Sequence, residues 1–248
     1  MGGSYEMTAL LEAKKNFAMK DGGPYVEMYE AGSNLSLLPV PRDNSLIGHW
    51  KMDEGVGGTT VDSSGKGNNG TFIGAPAWQS SSNCKTGNCL SFDGGDWVNC
   101  GHGTSLDTTD AVTIVAWEKL SGTYADYNYY VTKGGTYAAN FGTRYGDGFM
   151  IWYITGVKNW VISGYPPLKD GNWHQVVGTY DRNGGINNMR FYYDGILRSS
   201  TTTSGTLPVT TQDLILSNSS YGGSLDEVRI YNRALTDAEI KALYDATK

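Results

Sequence analysis

The sequence predicts an all-β protein, an antiparallel β-sandwich with an N-terminal helical extension and a short C-terminal helix. From Leu46 onward the short runs VTIVAW, NYYVTK, GFMIWYI, NWVIS, HQVVGTY, MRFYYD, ILRSS and DLILS recur with turn signals between them, which is the spacing of a sandwich. With 18% charged residues, 34 glycines, 17 tyrosines and 7 tryptophans, the composition fits a turn-rich β-domain and not a helix bundle. Asp194-Gly195 lies between RFYY and ILRS, and this dipeptide suits a two-residue primed hairpin turn because both central residues need positive φ.

Taken in order, residues 1–45 form a front segment and residues 46–248 the sandwich. Tyr5 to Lys20 places Leu10, Ala13 and Phe17, with Leu11 and Met7, on one helical face. The helix ends at Asp21-Gly22-Gly23-Pro24, where glycine terminates it and proline prevents its continuation. The strand-like runs PYVEMYE and LSLLPV follow, and PRDNS delivers the chain to Leu46.

Gly48 to Phe72, GHWKMDEGVGGTTVDSSGKGNNGTF, starts as an apolar strand and becomes a loop dense in Asp, Ser, Gly and Asn. Asp62, Asn68 and Asn69 can bond their own backbone as Asx turns or offer oxygens to a hard cation, for which calcium is best suited. Cys84 and Cys89 bracket the polar loop KTGN. They can close a short disulfide if the backbone brings their Cα atoms within about 7 Å, which would suit an extracellular protein. Three free thiols in a cytosolic protein is the competing reading, and Cys100, in DWVNC, is expected as a buried thiol. Near the end, Thr236 with Glu239 makes a capping box before Ile240, Leu243 and Tyr244, so a helix of about ten residues closes the chain.

Length and charge narrow the classes. A chain of 248 residues with 39% hydrophobic content supports one sizeable core with an appendage. A net charge of −6 without a long basic run argues against nucleic acid and anionic membranes. No run approaches the roughly 18 apolar residues of a span, and no secretory h-region is present, so no membrane anchor is expected in the chain as given.

Several motifs stand in a fixed order: Trp50-x-x-Asp53-Glu54-Gly55; Asp62-Ser-Ser-Gly-x-Gly-Asn68-Asn69-Gly70-Thr71; Ser91-Phe-Asp93-Gly-x-Asp96-x-Val98; Val112-Thr-Ile-x-Ala-Trp117; Asn172-Trp-His174 with Thr179-Tyr-Asp181; Tyr193-Asp-Gly; and Leu225-Asp-Glu-Val-Arg-Ile-Tyr-Asn-Arg-Ala-Leu. Across roughly Leu46 to Tyr244 this set resembles the laminin G-like branch of the concanavalin A-like lectin and glucanase superfamily. The resemblance implies a jelly-roll sandwich whose last strand leads into the closing helix. It also implies one structural calcium, held by Asp62, Asn69 and Asp226 with backbone carbonyls near Gly67 and carboxylate oxygens of Asp53, tying the first long loop to the last strand. Tyr5 to Pro41 resembles the post-transmembrane helix and first strands of bacterial type IV pilins or pseudopilins, without their hydrophobic N-terminal half; a helical extension packed on the sandwich is the alternative.

No G-x-S-x-G, H-E-x-x-H, phosphate loop or dinucleotide fingerprint occurs. His49 and His174 read as structural. His102, in CGHGTS near Ser105 and Asp107, reads as a solvated loop residue, with a general base as the sharper reading. Glucanases of the superfamily place paired carboxylates on one strand, and no E-x-D-x-E appears here. Glu118, in IVAWEK, shares parity with Ile114 and Ala116 where an apolar residue is expected; a charge just past the buried part of its strand is the simpler reading.

A ligand surface is expected between Gly122 and Pro167, which holds more aromatics than a core requires. Tyr127, Tyr130, Tyr145, Trp160 and Tyr165 lie near turns and are candidates for sugar stacking, with Arg144 and Asp147 as oriented polar contacts. Phe149, Ile151 and Tyr153 alternate as a core face. These rings could instead cover the sandwich edge, and such a surface would also accept a flat aromatic polymer or a protein. Three functions follow from this reading: an extracellular calcium-stabilised carbohydrate-binding or adhesion module, whose partner is a glycan or other extended polymer; a polysaccharide or ester hydrolase using Glu118, His102 or His174; and a pilin-like subunit of a surface filament.

Overall fold

The computed structural model describes residues 43–120, 127–134, 139–144, 149–162, 170–217 and 221–248. The chain divides into two units, Met1–Asn44 and Ser45–Lys248; the expected front helix and its two strands lie outside the described residues.

In chain order the strands are β1 Leu46–Trp50, β2 Thr59–Thr60, β3 Gly70–Ile73, β4 Ala77–Gln79, β5 Cys89–Asp93, β6 Trp97–Asn99, β7 Ala111–Leu120, β8 Tyr127–Lys133, β9 Ala139–Arg144, β10 Phe149–Ile154, β11 Lys158–Ile162, β12 His174–Asp181, β13 Met189–Tyr193, β14 Ile196–Thr201, β15 Leu214–Leu216 and β16 Gly222–Tyr231. One helix, α1 Asp237–Thr247, closes the described chain. The first sheet runs β14-β13-β12-β7-β16-β5-β4, with β1 also paired to β16, and the second runs β11-β10-β9-β8-β15-β6-β3-β2. The two antiparallel sheets form a sandwich, as the alternating runs predict.

Period-two alternation sends Val112, Ile114 and Ala116 of β7, Val176 and Tyr180 of β12, and Phe191 of β13 into the core between the sheets. From the second sheet, Tyr130, Phe141 and Trp152 meet them. Edge-to-face contacts run from Phe92 to Tyr221 (5.8 Å), Tyr221 to Tyr130 (5.6 Å), Tyr130 to Phe141 (6.1 Å), Phe141 to Trp152 (5.4 Å) and Trp152 to Phe191 (6.2 Å). Each such pair contributes about 0.5–1.5 kcal/mol beyond its buried area. Gly178 fits this arrangement because a Cβ there would lie 2.7 Å from both the Phe141 and the Trp152 rings.

On β10 the expected core face is corrected. Met150, Trp152 and Ile154 point between the sheets, whereas Ile151 is buried on the opposite side and Tyr153 is half-buried. The reason is that MIWYI is apolar at every position, so its pattern carries no parity.

Asp194 (φ 50°) and Gly195 (φ 71°) form the primed turn between β13 and β14. Thr236 and Glu239 form the reciprocal capping box of α1, and Arg233 holds the Glu239 carboxylate at 2.7 and 2.9 Å. The stacking of Tyr244 on Trp117 (5.7 Å) and the bond from Trp117 Nε1 to Thr247 Oγ1 (2.9 Å) seat this helix on the outer face of the first sheet. No helix among the described residues is long and apolar enough to cross a membrane.

Candidate functional site

Where β16 passes β7 its register shifts between Asp226 and Arg229, and Glu227 takes φ 52°. This irregularity puts two consecutive carboxylates to different uses. Glu227 Oε2 receives the His49 Nε2 contact at 2.9 Å and the Arg229 guanidinium at 2.5 Å. Burial works against the Glu227 charge, but Arg229 and then His49 outweigh it and hold its pKa down at about 2. Burial and the Arg229 charge lower His49 to about 4, so its imidazole is neutral and Nε2 carries the proton it donates.

Asp226 is fully buried. Its Oδ2 accepts from the backbone N–H groups of Lys85 (3.1 Å) and Thr86 (2.9 Å), while Oδ1 has no partner. Burial above all, with the Glu227 and Asp53 charges, pushes its pKa up to about 9 against the opposing pull of those N–H groups. Asp53 lies shortly after the end of β1, beyond Lys51 and Met52. Its Oδ1 accepts from Asn88 N (3.0 Å) and its carbonyl from Asn88 Nδ2 (2.9 Å); burial raises its pKa, and the Glu227 charge adds to the rise. Lys85, Thr86 and Asn88 all belong to the ring closed by the Cys84–Cys89 disulfide, whose Cα atoms are 5.4 Å apart. Cys100 is a buried free thiol.

The buried, unpaired Oδ1 of Asp226, which feels the Glu227 and Asp53 charges, has the chemistry of a hard-cation ligand. Among the described residues no three His, Cys, Asp or Glu side chains form a metal-holding group, so such a cation would draw its remaining ligands from backbone and amide oxygens or water.

The rest of the expected ligand set, Asp62, Asn69 and Gly67, is engaged in hydrogen bonds and a turn of the long loop. Asp62 Oδ1 accepts from His49 N and Ser64 N, both at 2.9 Å, and Oδ2 from Asn68 N at 2.9 Å. Asn69 Oδ1 accepts from Asp62 N (2.9 Å), and Gly67 takes φ 80° in the turn between them. Trp50 Nε1 donates to the Asn68 carbonyl (2.8 Å). Asp62 therefore knits the long loop to β1 through backbone N–H groups. Asp62→Ala is expected to cost about 3 kcal/mol in urea unfolding, because three N–H groups lose their acceptor; the loss should be the same with and without chelator.

The histidine candidates resolve similarly. His102 is largely exposed, with Nδ1 2.9 Å from Asp213 Oδ1, but Ser105 exchanges its hydrogen bonds with Asn68 (3.0 and 3.1 Å), so no triad is assembled. His174 bridges Asp194 (Nδ1, 3.0 Å) and Asp170 (Nε2, 3.0 Å) and stacks on Tyr193 at 4.6 Å. Burial opposes its charge, yet the two carboxylates raise its pKa, which fits a structural ion pair. Glu118 lies inside β7, opposite His174 and Leu225, completely buried and with both oxygens unpaired. The expectation that it sits past the buried part of its strand is corrected, because β7 continues to Leu120. Burial, then Asp170 and Asp194, raises its pKa well above the carboxylate range.

The sequence profile of the concanavalin A-like lectin/glucanases superfamily, in its laminin G form, matches residues 92–241. The chain belongs to that superfamily. No curated protein matches it. Among solved structures, domain 4 of AbnA, an extracellular arabinanase of Geobacillus stearothermophilus solved in complex with arabinotriose, is 18% identical with a TM-score of 0.63, over 81% of this chain and 98% of that one. The binding domain of Paraclostridial Mosquitocidal Protein 1 is 12% identical (TM-score 0.65; 82% and 52% covered). That of botulinum neurotoxin DC in complex with SialylT is 14% identical (TM-score 0.62; 83% and 52%). The chain thus spans about half the length of the toxin domains, and at these identities the likeness is one of fold.

The described part of the expected ligand segment forms β8 to β11, at one edge of the second sheet. Tyr145, Asp147 and Tyr165 lie outside the described residues, as do the side chains of Tyr127, Arg144 and Trp160, which occupy β8, β9 and β11. Tyr130 is corrected. It is buried in the core against Phe141 and Tyr221, because a bulge in β8 between Tyr129 and Val131 turns it inward. Sequence reasoning missed the ring residues Lys85, Thr86 and Asn88 and the pair of Glu227 with Arg229. The available signal was the polar KTGN between two cysteines.

Proposed function

We propose that the chain is an extracellular, calcium-stabilised carbohydrate-binding module. The observation that carries the reading is the match to 98% of a domain solved with arabinotriose, on a fold whose neighbours include toxin binding domains. A disulfide persists in oxidising compartments, which supports the extracellular placement. The unpaired Oδ1 of Asp226 beside Asp53 supports the calcium. Both carboxyl oxygens of Glu118 are enclosed in the core, out of reach of a polymer, which weighs against the hydrolase reading built on it.

In this reading the glycan is bound by the aromatic-rich stretch between Gly122 and Pro167, with Tyr127, Tyr145, Trp160 and Tyr165 as stacking residues and Arg144 and Asp147 as polar contacts. Trp160→Ala and Tyr145→Ala, made singly, are expected to weaken binding of arabino-oligosaccharides about tenfold or more while Tm stays within a few degrees. A large loss of stability with binding per folded molecule intact would place these rings in the core instead.

A further inference from the structure

We propose that the Cys84–Cys89 disulfide switches the affinity of the cation site. The inference rests on the reading of Asp53 and Asp226 as calcium ligands. Almost every part of the ring between the cysteines touches those two residues. Lys85 N and Thr86 N hold Asp226 Oδ2 at 3.1 and 2.9 Å, and Asn88 holds the Asp53 carboxylate and carbonyl at 3.0 and 2.9 Å. Gly87, at φ 55°, passes so close that a Cβ would lie 1.9 Å from Asp53 Oδ1. Pairing of β1 with β16 brings Asp53 and Asp226 into one frame, and the closed ring fixes how the two carboxylates are held within it.

Cys89 is fixed in β5 and buried, while Cys84 sits half-buried at the start of the ring. A dithiol breaks the bond: its two electrons and two protons convert the Cys84–Cys89 S–S bond into two thiols, and the reagent closes to its own disulfide. The freed loop regains conformational entropy and must lose it again for the cation to bind. For so short a ring this weakens calcium binding about tenfold or more. Linkage requires the reverse effect: calcium makes the disulfide harder to reduce by the same factor.

Calcium chloride is titrated calorimetrically into the oxidised chain, the dithiothreitol-reduced chain and Cys84→Ser/Cys89→Ser. Binding to the oxidised chain that weakens at least tenfold in the other two supports the proposal. Equal affinity in all three overturns it and leaves the calcium reading standing. No binding to the oxidised chain overturns both. If the reduced forms unfold, the redox equilibrium of the native chain decides. The ratio of disulfide to dithiol at a fixed ratio of reduced to oxidised dithiothreitol rises about tenfold when saturating calcium replaces EGTA; an unchanged ratio overturns the proposal.

Discussion

Glu118→Met is expected to stabilise the chain by about 4 kcal/mol near pH 7, measured by urea unfolding. An unpartnered buried carboxylate costs about 3–5 kcal/mol, and a carboxyl that stays neutral still lacks a hydrogen-bond partner. Methionine has nearly the same length, no polar atom and enough freedom to follow the contours between Leu225 and His174. The pH dependence has a definite sign. Because burial and the Asp170 and Asp194 charges raise the folded-state pKa of Glu118, the folded chain holds more protons than the unfolded one above the ordinary carboxylate range. Wild-type stability therefore falls by as much as about 1.4 kcal/mol per pH unit as pH rises from the unfolded pKa toward the folded one. The advantage of the variant is smallest at about pH 4 and grows upward. A variant less stable than wild type at every pH would show that the Glu118 carboxyl contributes contacts to the fold.

Calcium removal is expected to cost a similar amount. A cation present at about a thousand times its Kd adds about 4 kcal/mol, so chelation should lower Tm by about 8–16 °C in a domain of this size. Asp226→Asn should reverse sign with conditions. In calcium the variant is less stable than wild type because it has lost a charged ligand. In EGTA it is more stable, because it no longer has to take up a proton to be buried beside Glu227 and Asp53. A wild-type Tm unaffected by chelator, with the asparagine variant more stable in both media, would make Asp226 a protonated structural group.

Local signals were legible in the sequence because they act within a few residues. Asp194-Gly195 needs only its own φ angles, Thr236 and Glu239 are one helical turn apart, and the strand runs carry their own β-propensity. Long-range features were not legible for equally physical reasons. The inward turn of Tyr130 depends on a bulge in β8, and the uniformly apolar MIWYI leaves its parity to the pairing partner. Asp62, in the long loop, and Asp226, in the last strand, are expected from the sequence as members of one ligand set. Only the folded chain shows that one spends both oxygens on three nearby N–H groups, while the other keeps an oxygen unpaired. The burial of Glu118 follows from the continuation of β7 to Leu120, which the charged pair Glu118-Lys119 disguises.

A glycan array probed with the purified chain, in calcium and again in EGTA, tests the central claim most directly. The account predicts retention on arabinose-containing or other polymeric glycans that falls at least tenfold with chelator. No retention on any glycan in calcium, with an unchanged Tm in EGTA, would contradict it.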